Sequence, residues 1–204
     1  MFFFRYLLYP VVLSSLLLFY WPTTASADDV RDETISAGYK WFLTLFGGPS
    51  AQPDLENVFK LNMRFEDDTY IVVAALARQF WRFKNWISSE VEGQTGKYFG
   101  DEHQWQFNGL IIGRWHWFPW DEYLDTSIAV GNGLSFNTET SKVEKEDDEE
   151  AGQWLNYLMC ELTVGLPKYP RWNFAYRIHH RSSIRGLIGN GASNFVTFGI
   201  KYGF

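Results

Sequence analysis

The chain has 204 residues, 46% hydrophobic and 19% aromatic, with 10 Trp, 11 Tyr and 18 Phe, yet its mean hydropathy is only −0.23. A formal charge of −6 with no basic block excludes electrostatic binding to nucleic acid, and the apolar content excludes disorder. The single cysteine, Cys160, excludes an internal disulfide or a thiolate metal cage, while so many rings indicate a boundary between hydrocarbon and water.

Residues 1–27 read as a secretory signal peptide: Arg5 is the only charge, an apolar run follows from Tyr6 to Tyr20, and Ala25-Ser26-Ala27 supplies the cleavage pattern. Pro10 and Pro22 confine that run to fewer than the ~20 residues a spanning helix needs. No later run is apolar enough for a membrane helix. Residues 28–56, with Tyr39, Trp41, Phe42, Leu45 and Phe46, are expected to form a periplasmic or interfacial segment lying on the membrane or plugging a barrel mouth. A misassigned first strand is the alternative.

Over residues 57–204, eight segments alternate with a period of two, the pattern of strands with one apolar and one polar face. The first sets Phe59, Leu61, Met63 and Phe65 against Lys60, Asn62 and Arg64, and the second, Thr69 to Trp81, is apolar on both faces. The third, Trp86 to Lys97, opposes Ser88, Glu90, Glu92 and Gln94 to Ile87 and Val91. In the fourth, Trp105, Phe107, Ile111, Trp115 and Trp117 alternate with Gln104, Gln106, Asn108, Arg114 and His116. The fifth sets Ile128, Val130 and Leu134 against Asp125 and Ser127, and the sixth sets Trp154, Leu158, Cys160 and Leu162 against Tyr157, Glu161 and Thr163. The seventh carries Trp172, Phe174, Tyr176 and Ile178 against Asn173, Arg177 and His179; the eighth carries Val196, Phe198, Ile200, Tyr202 and Phe204 against Thr197 and Lys201.

A soluble sandwich also alternates, but it buries its bulky parity and leaves charges in water. Here the polar parity carries Lys, Arg, Glu and His, which an exported chain can pair inside a small barrel while the aromatics face lipid. Lys60, Glu90, Glu92, Arg114, His116, Glu161, Arg177 and His179 are accordingly read as interior residues. The linkers alternate in length: 183–193 and 136–152 are long, 98–103 is intermediate, and Arg82 to Asn85, Phe118 to Asp121 and Pro167 to Pro170 are short. Outer-membrane barrels have short periplasmic turns and longer outside loops. Phe204 ends an aromatic strand, which resembles the terminal signal read by the barrel assembly machinery. The expected fold is all-β, an eight-stranded antiparallel transmembrane β-barrel of the bacterial outer membrane.

Chemistry is sought in two places. The linker 136–152 carries Glu139, Glu144, Glu146, Asp147, Asp148, Glu149 and Glu150, but its spacing matches no calcium loop, so it reads as solvated and no metal site is assigned. The second place is the end of the seventh strand, where His180 and Ser182 lie two residues apart and so on one face; a serine hydroxyl becomes a nucleophile once a base takes its proton. Both share the parity of Trp172, Phe174 and Tyr176, as Asn194 shares that of Val196 and Phe198 on the next strand. All three are therefore expected to face lipid, where polar side chains are costly and suggest function.

These residues, with the barrel size, the glycine-rich loop and the aromatic last strand, resemble the PagL-type lipid A 3-O-deacylases and their acyloxyacyl-hydrolase-like relatives. In that family Ser, His and Glu on the outer wall hydrolyse an ester-linked acyl chain of lipopolysaccharide. The resemblance implies Ser182 as nucleophile and His180 as base, with Asn194 at the spacing of the family's Glu. The chain departs from the family pattern at Ser183, where an Asn is usual, and in having no acid after Glu161. An amide can hold an imidazole tautomer, as in Cys-His-Asn proteases, so Asn194 is the candidate for that role, with an acid from an earlier strand as the alternative. Backbone amides of Ser183, Gly186, Gly189 and Gly191 are the expected oxyanion donors, and Arg181 and Arg185 the expected lipid-phosphate contacts. No cofactor is required. The implied partners are lipopolysaccharide, other outer-membrane lipid and the assembly machinery, with a homodimer left open. A non-enzymatic scaffold or lipid-binding barrel is the rival reading, and the missing carboxylate favours it.

Overall fold

A computed structural model of the protein describes residues 38–51, 65–140, 152–183 and 191–204. Among these residues eight strands follow one another: β1 (Trp41–Ala51), β2 (Phe65–Phe83), β3 (Ile87–Gly100), β4 (Trp105–Trp115), β5 (Asp125–Asn137), β6 (Trp154–Gly165), β7 (Trp172–Ser182) and β8 (Ala192–Gly203). Each pairs antiparallel with the next and β1 pairs with β8, so the sheet closes and no strand edge is left unpaired. At the seam, the Trp41 amide donates to the Phe204 carbonyl at 3.1 Å and the Phe204 amide to the Trp41 carbonyl at 2.9 Å.

β1 corrects the sequence reading. Trp41 to Phe46, expected on the membrane surface or in the barrel mouth, supply the first strand, as the alternative of a misassigned strand has it; of the strand expected from Phe59 to Phe65, only Phe65 is described, and it opens β2, while Lys60 and the signal peptide lie outside the described residues. The physical reason is that β1 has no polar face to reveal it. Leu43 and Leu45 point to the exposed side, whereas the inward positions hold Thr44 and Phe46. The Phe46 ring lies 4.5 Å beneath the guanidinium of Arg177, a cation–π contact that gives an aromatic side chain a place in a charged lumen.

The other strands follow their parity. Trp105, Phe107, Ile111 and Trp115 of β4 are exposed while Gln106, Asn108 and Arg114 are buried; Ile128 and Val130 of β5, Leu162 of β6, Phe174 of β7 and Phe198 and Ile200 of β8 continue the apolar coat. Rings gather at both ends of the wall, with Phe136 against Trp154 at one and Trp172 against Tyr202 at the other, the arrangement of interfacial girdles.

The lumen is filled. Arg177 donates to Glu92 at 2.7 Å and also bonds Glu161; Arg114 donates to Glu90 and to Glu161, both at 2.7 Å; Lys201 stands 3.4 Å from Glu90 and from Glu161. Three cations thus meet three carboxylates, which offsets the large desolvation cost of burying each. Phe46, Ile71, Val73, Tyr98 and Phe195 form a buried apolar cluster that meets this network where Arg177 lies over the Phe46 ring. His179 takes the expected inward position and shares a 2.9 Å hydrogen bond with the hydroxyl of Tyr157.

Candidate functional site

The ladders of β5 to β8 carry the site, and their registers run without a shift, so parity fixes which face each side chain takes. His180 and Ser182 share the outward parity of Trp172 and Phe174, and Asn194 sits opposite His180 across the β7–β8 ladder. Nδ1 of His180 lies 2.5 Å from Oδ1 of Asn194. Since an amide oxygen only accepts, Nδ1 is the protonated nitrogen, and Nε2 keeps the lone pair that a general base needs. His180 is 9% exposed and Asn194 0%, although both belong to the outward parity. Beside them Ala51, Ile178 and Val196 form an apolar cluster joined by Cys160 and Tyr176, so the base lies in a low-polarity patch.

Ser182 is half-buried at the last position of β7, on the face of His180. No hydrogen bond joins the two side chains among the described residues. Strand spacing puts residues i and i+2 about 6.5–7 Å apart along one face, and such hydroxyl–imidazole contacts commonly tighten only around a bound substrate.

Two expected contacts fall elsewhere. Arg181 has inward parity: it is fully buried in the lumen, its Nε donating to Ser135 Oγ at 2.7 Å and Nη2 to the Gln153 carbonyl at 3.2 Å, so it does not reach a lipid phosphate on the outer wall. The Ser183 amide donates to the Gly191 carbonyl at 3.0 Å and so is already engaged instead of awaiting an oxyanion. That bond closes the neck of the loop, and Gly191 takes φ 112°, a conformation suited to glycine. Arg185, Gly186 and Gly189 lie outside the described residues, as do Glu144 to Glu150 of the acidic linker.

Two outward polar residues went unnoticed in the sequence. Asn156 of β6 is directly opposite Ser182, and Asn132 of β5, which pairs with Leu158, is two ladder rows from Asn156. Their amides bond each other: Asn132 Nδ2 donates to Asn156 Oδ1 at 3.2 Å, and Asn156 Nδ2 donates to Asn132 Oδ1 at 3.4 Å and to the Gly133 carbonyl at 2.9 Å. Their even parity, shared with Ile128, Val130, Trp154 and Leu162, was the available signal.

No protein-family model matches the chain, and no curated protein does. Among solved structures, it is similar to the outer membrane enzyme PagL, with a TM-score of 0.56 at 10% identity over 79% of this chain and 98% of that one. It is also similar to Neisserial surface protein A, with a TM-score of 0.50 at 9% identity over 80% of this chain and 96% of that one. The protein has the closed eight-stranded fold of the outer-membrane β-barrels. At these identities the likeness carries the fold and not an activity.

An outer-membrane barrel keeps its short turns on the periplasmic side. Here β2–β3 and β6–β7 are joined by short connections, at the end where Trp41 meets Phe204, while residues 138–153 and 183–191 connect strands at the opposite end. His180, Ser182, Asn194, Asn156 and Asn132 therefore share the outward wall of the barrel near the end opposite these short turns. Among the described residues no group of His, Cys, Asp and Glu is placed to hold a metal ion.

Proposed function

We propose that the protein is an outer-membrane serine esterase that removes an ester-linked acyl chain from lipid A of lipopolysaccharide. The observation that carries this reading is the His180–Asn194 hydrogen bond of 2.5 Å on the outward wall, on the same face as Ser182. A buried, tautomer-fixed histidine beside a serine has no evident structural use on a surface reserved for lipid. Placement on the wall brings the nucleophile to a lipid ester without lifting the acyl chains out of the membrane. Ser182 Oγ attacks the acyl carbonyl as its proton passes to His180 Nε2; the tetrahedral intermediate then collapses, and the alcohol leaves with that proton. Water attacks the acyl-enzyme by the same route and releases the fatty acid. These are this chain's own groups, and the cycle uses no cofactor.

The test is Ser182→Ala in cells, with lipid A analysed by mass spectrometry. Loss of a deacylated species present with the wild-type protein is the expected result. Identical lipid A from both would remove the role given to Ser182. The rival, a non-enzymatic barrel in the outer membrane, draws on the absence, among the described residues, of a Ser182–His180 hydrogen bond and of a carboxylate bonded to His180, and identical lipid A is its prediction.

A further inference from the structure

Of the backbone amides expected at the oxyanion, that of Ser183 is given to the Gly191 carbonyl, and Gly186 and Gly189 lie outside the described residues. We infer that the side chain of Asn156 supplies an oxyanion donor, with Asn132 positioning it. The inference rests on the proposed esterase activity and adds a catalytic residue from a different strand.

Asn156 is 9% exposed yet has outward parity on β6, and it stands directly opposite Ser182 in the β6–β7 ladder. Side chains directly opposite across an antiparallel pair have Cβ atoms about 4.5–5.5 Å apart. An amide at that separation reaches an oxygen one bond from the carbon that Ser182 attacks. On the other side Ser182 faces Ala192, which has no donor to offer.

The hydrogen bonds of Asn156 define what it can give. One Nδ2 proton is held by the Gly133 carbonyl at 2.9 Å, which fixes the amide. The other points toward Asn132 Oδ1 at 3.4 Å, long for an N–H···O bond and therefore easily redirected. Asn132 Nδ2 meanwhile holds Asn156 Oδ1 at 3.2 Å, so the amide keeps its nitrogen turned as the second proton changes partner. Gly133 lies so close to its β4 neighbour that an added Cβ would stand 2.0 Å from the Gly109 carbonyl, which ties the carbonyl anchoring Asn156 to a tightly packed ladder.

As the Ser182 Oγ–carbon bond forms, the Oγ proton moves to His180 Nε2 and the carbonyl π electrons move onto oxygen. The redirected Asn156 N–H bonds that oxygen. When the oxyanion re-forms the carbonyl, the alkoxide leaves with the proton from His180, and the Asn156 proton returns toward Asn132. A donor held on a strand beside the nucleophile stabilises developing charge more strongly in a low-dielectric surrounding than in bulk water.

The experiment uses the full-length barrel in detergent micelles, with hydrolysis of a p-nitrophenyl acyl ester and covalent labelling by a fluorophosphonate as readouts. Asn156→Ala and the near-isosteric Asn156→Asp, which keeps the acceptor and removes the N–H, should each lower kcat about 100- to 1,000-fold with KM nearly unchanged. Labelling should slow alongside, because the phosphonyl oxygen uses the same donor, while the heat-shifted gel mobility of the folded barrel stays as in wild type. Asn132→Ala should lower kcat by a smaller factor. Wild-type kcat in Asn156→Asp overturns the inference even if Asn156→Ala fails to fold, and leaves the esterase reading intact as long as Ser182→Ala is inactive. If the wild-type barrel neither hydrolyses the ester nor takes the label, or Ser182→Ala equals wild type, the esterase reading falls and the inference with it.

Discussion

Nδ1 of His180 and Oδ1 of Asn194 face one another across 2.5 Å, on adjacent strands and on the wall that carries the rings and aliphatic side chains of Phe174, Phe198 and Ile200. In the esterase reading this bond fixes the tautomer, and deleting it frees the ring to rotate and to carry its proton on the wrong nitrogen. Asn194→Ala should lower kcat by at least about 100-fold, within the range spanned when the orienter of a catalytic histidine is changed. Asn194→Asp should retain activity, since a carboxylate accepts the same N–H and stabilises the imidazolium. Ester hydrolysis by the purified variants decides it: an Ala variant as active as wild type would show that Asn194 does not orient a catalytic base.

The lumen makes a prediction about stability. Arg177 is fully buried and bonded to both Glu92 and Glu161. Arg177→Met keeps much of the side-chain volume over Phe46 but leaves two carboxylates without this partner, which should destabilise the barrel by about 3–5 kcal/mol. The midpoint of urea unfolding in micelles reads this directly. A midpoint within experimental scatter of wild type would mean that Arg114 and Lys201 alone compensate the carboxylates.

The closing seam makes a steric prediction. A Cβ at Gly199 of β8 would stand 2.1 Å from the carbonyl oxygen of Leu45 on β1, whereas one at Gly93 of β3 meets nothing within 4 Å. Gly199→Ala should therefore reduce the folded, heat-modifiable fraction after refolding, and Gly93→Ala should leave it unchanged. Equal folding of both variants would show that β1 and β8 separate enough to admit a methyl group.

These cases show why the sequence was legible in some strands and opaque in others. In β3, β4 and β7 the lumen places Glu90, Glu92, Arg114 and Arg177 between outward apolar residues, so period two is written in charge. β1 packs Phe46 under Arg177 and leaves Leu43 and Leu45 outside; apolar on both faces, it resembled an interfacial segment. At the site, parity placed His180, Ser182 and Asn194 on one wall, but Arg181 was assigned by its nearness in sequence, although its odd parity already pointed inward. Asn156 and Asn132 come from strands distant in the chain, and only the β5–β6–β7 register brings them beside Ser182. The engaged Ser183 amide is a matter of backbone geometry that no side-chain pattern encodes.

The rim of the barrel that carries the short turns has a pH dependence. His116 lies just past the end of β4, its Nε2 2.8 Å from Ser88 Oγ. Burial, with the nearby positive charges of Arg114, Arg82 and Lys201 outweighing Glu90, pushes its pKa down to about 3 from an ordinary value of 6.5. The folded barrel thus holds His116 neutral where the unfolded chain protonates it. Its contribution to stability is fully present above pH 6.5 and is lost as pH falls toward 3. At pH 5 the loss reaches at most about 2 kcal/mol. His116→Gln keeps a polar partner for Ser88 and cannot titrate, so its urea midpoint should fall less than that of wild type between pH 7 and pH 5. Identical slopes for the two proteins would mean that His116 is as easily protonated in the barrel as in the unfolded chain, and that the acid sensitivity of the fold lies with its luminal carboxylates.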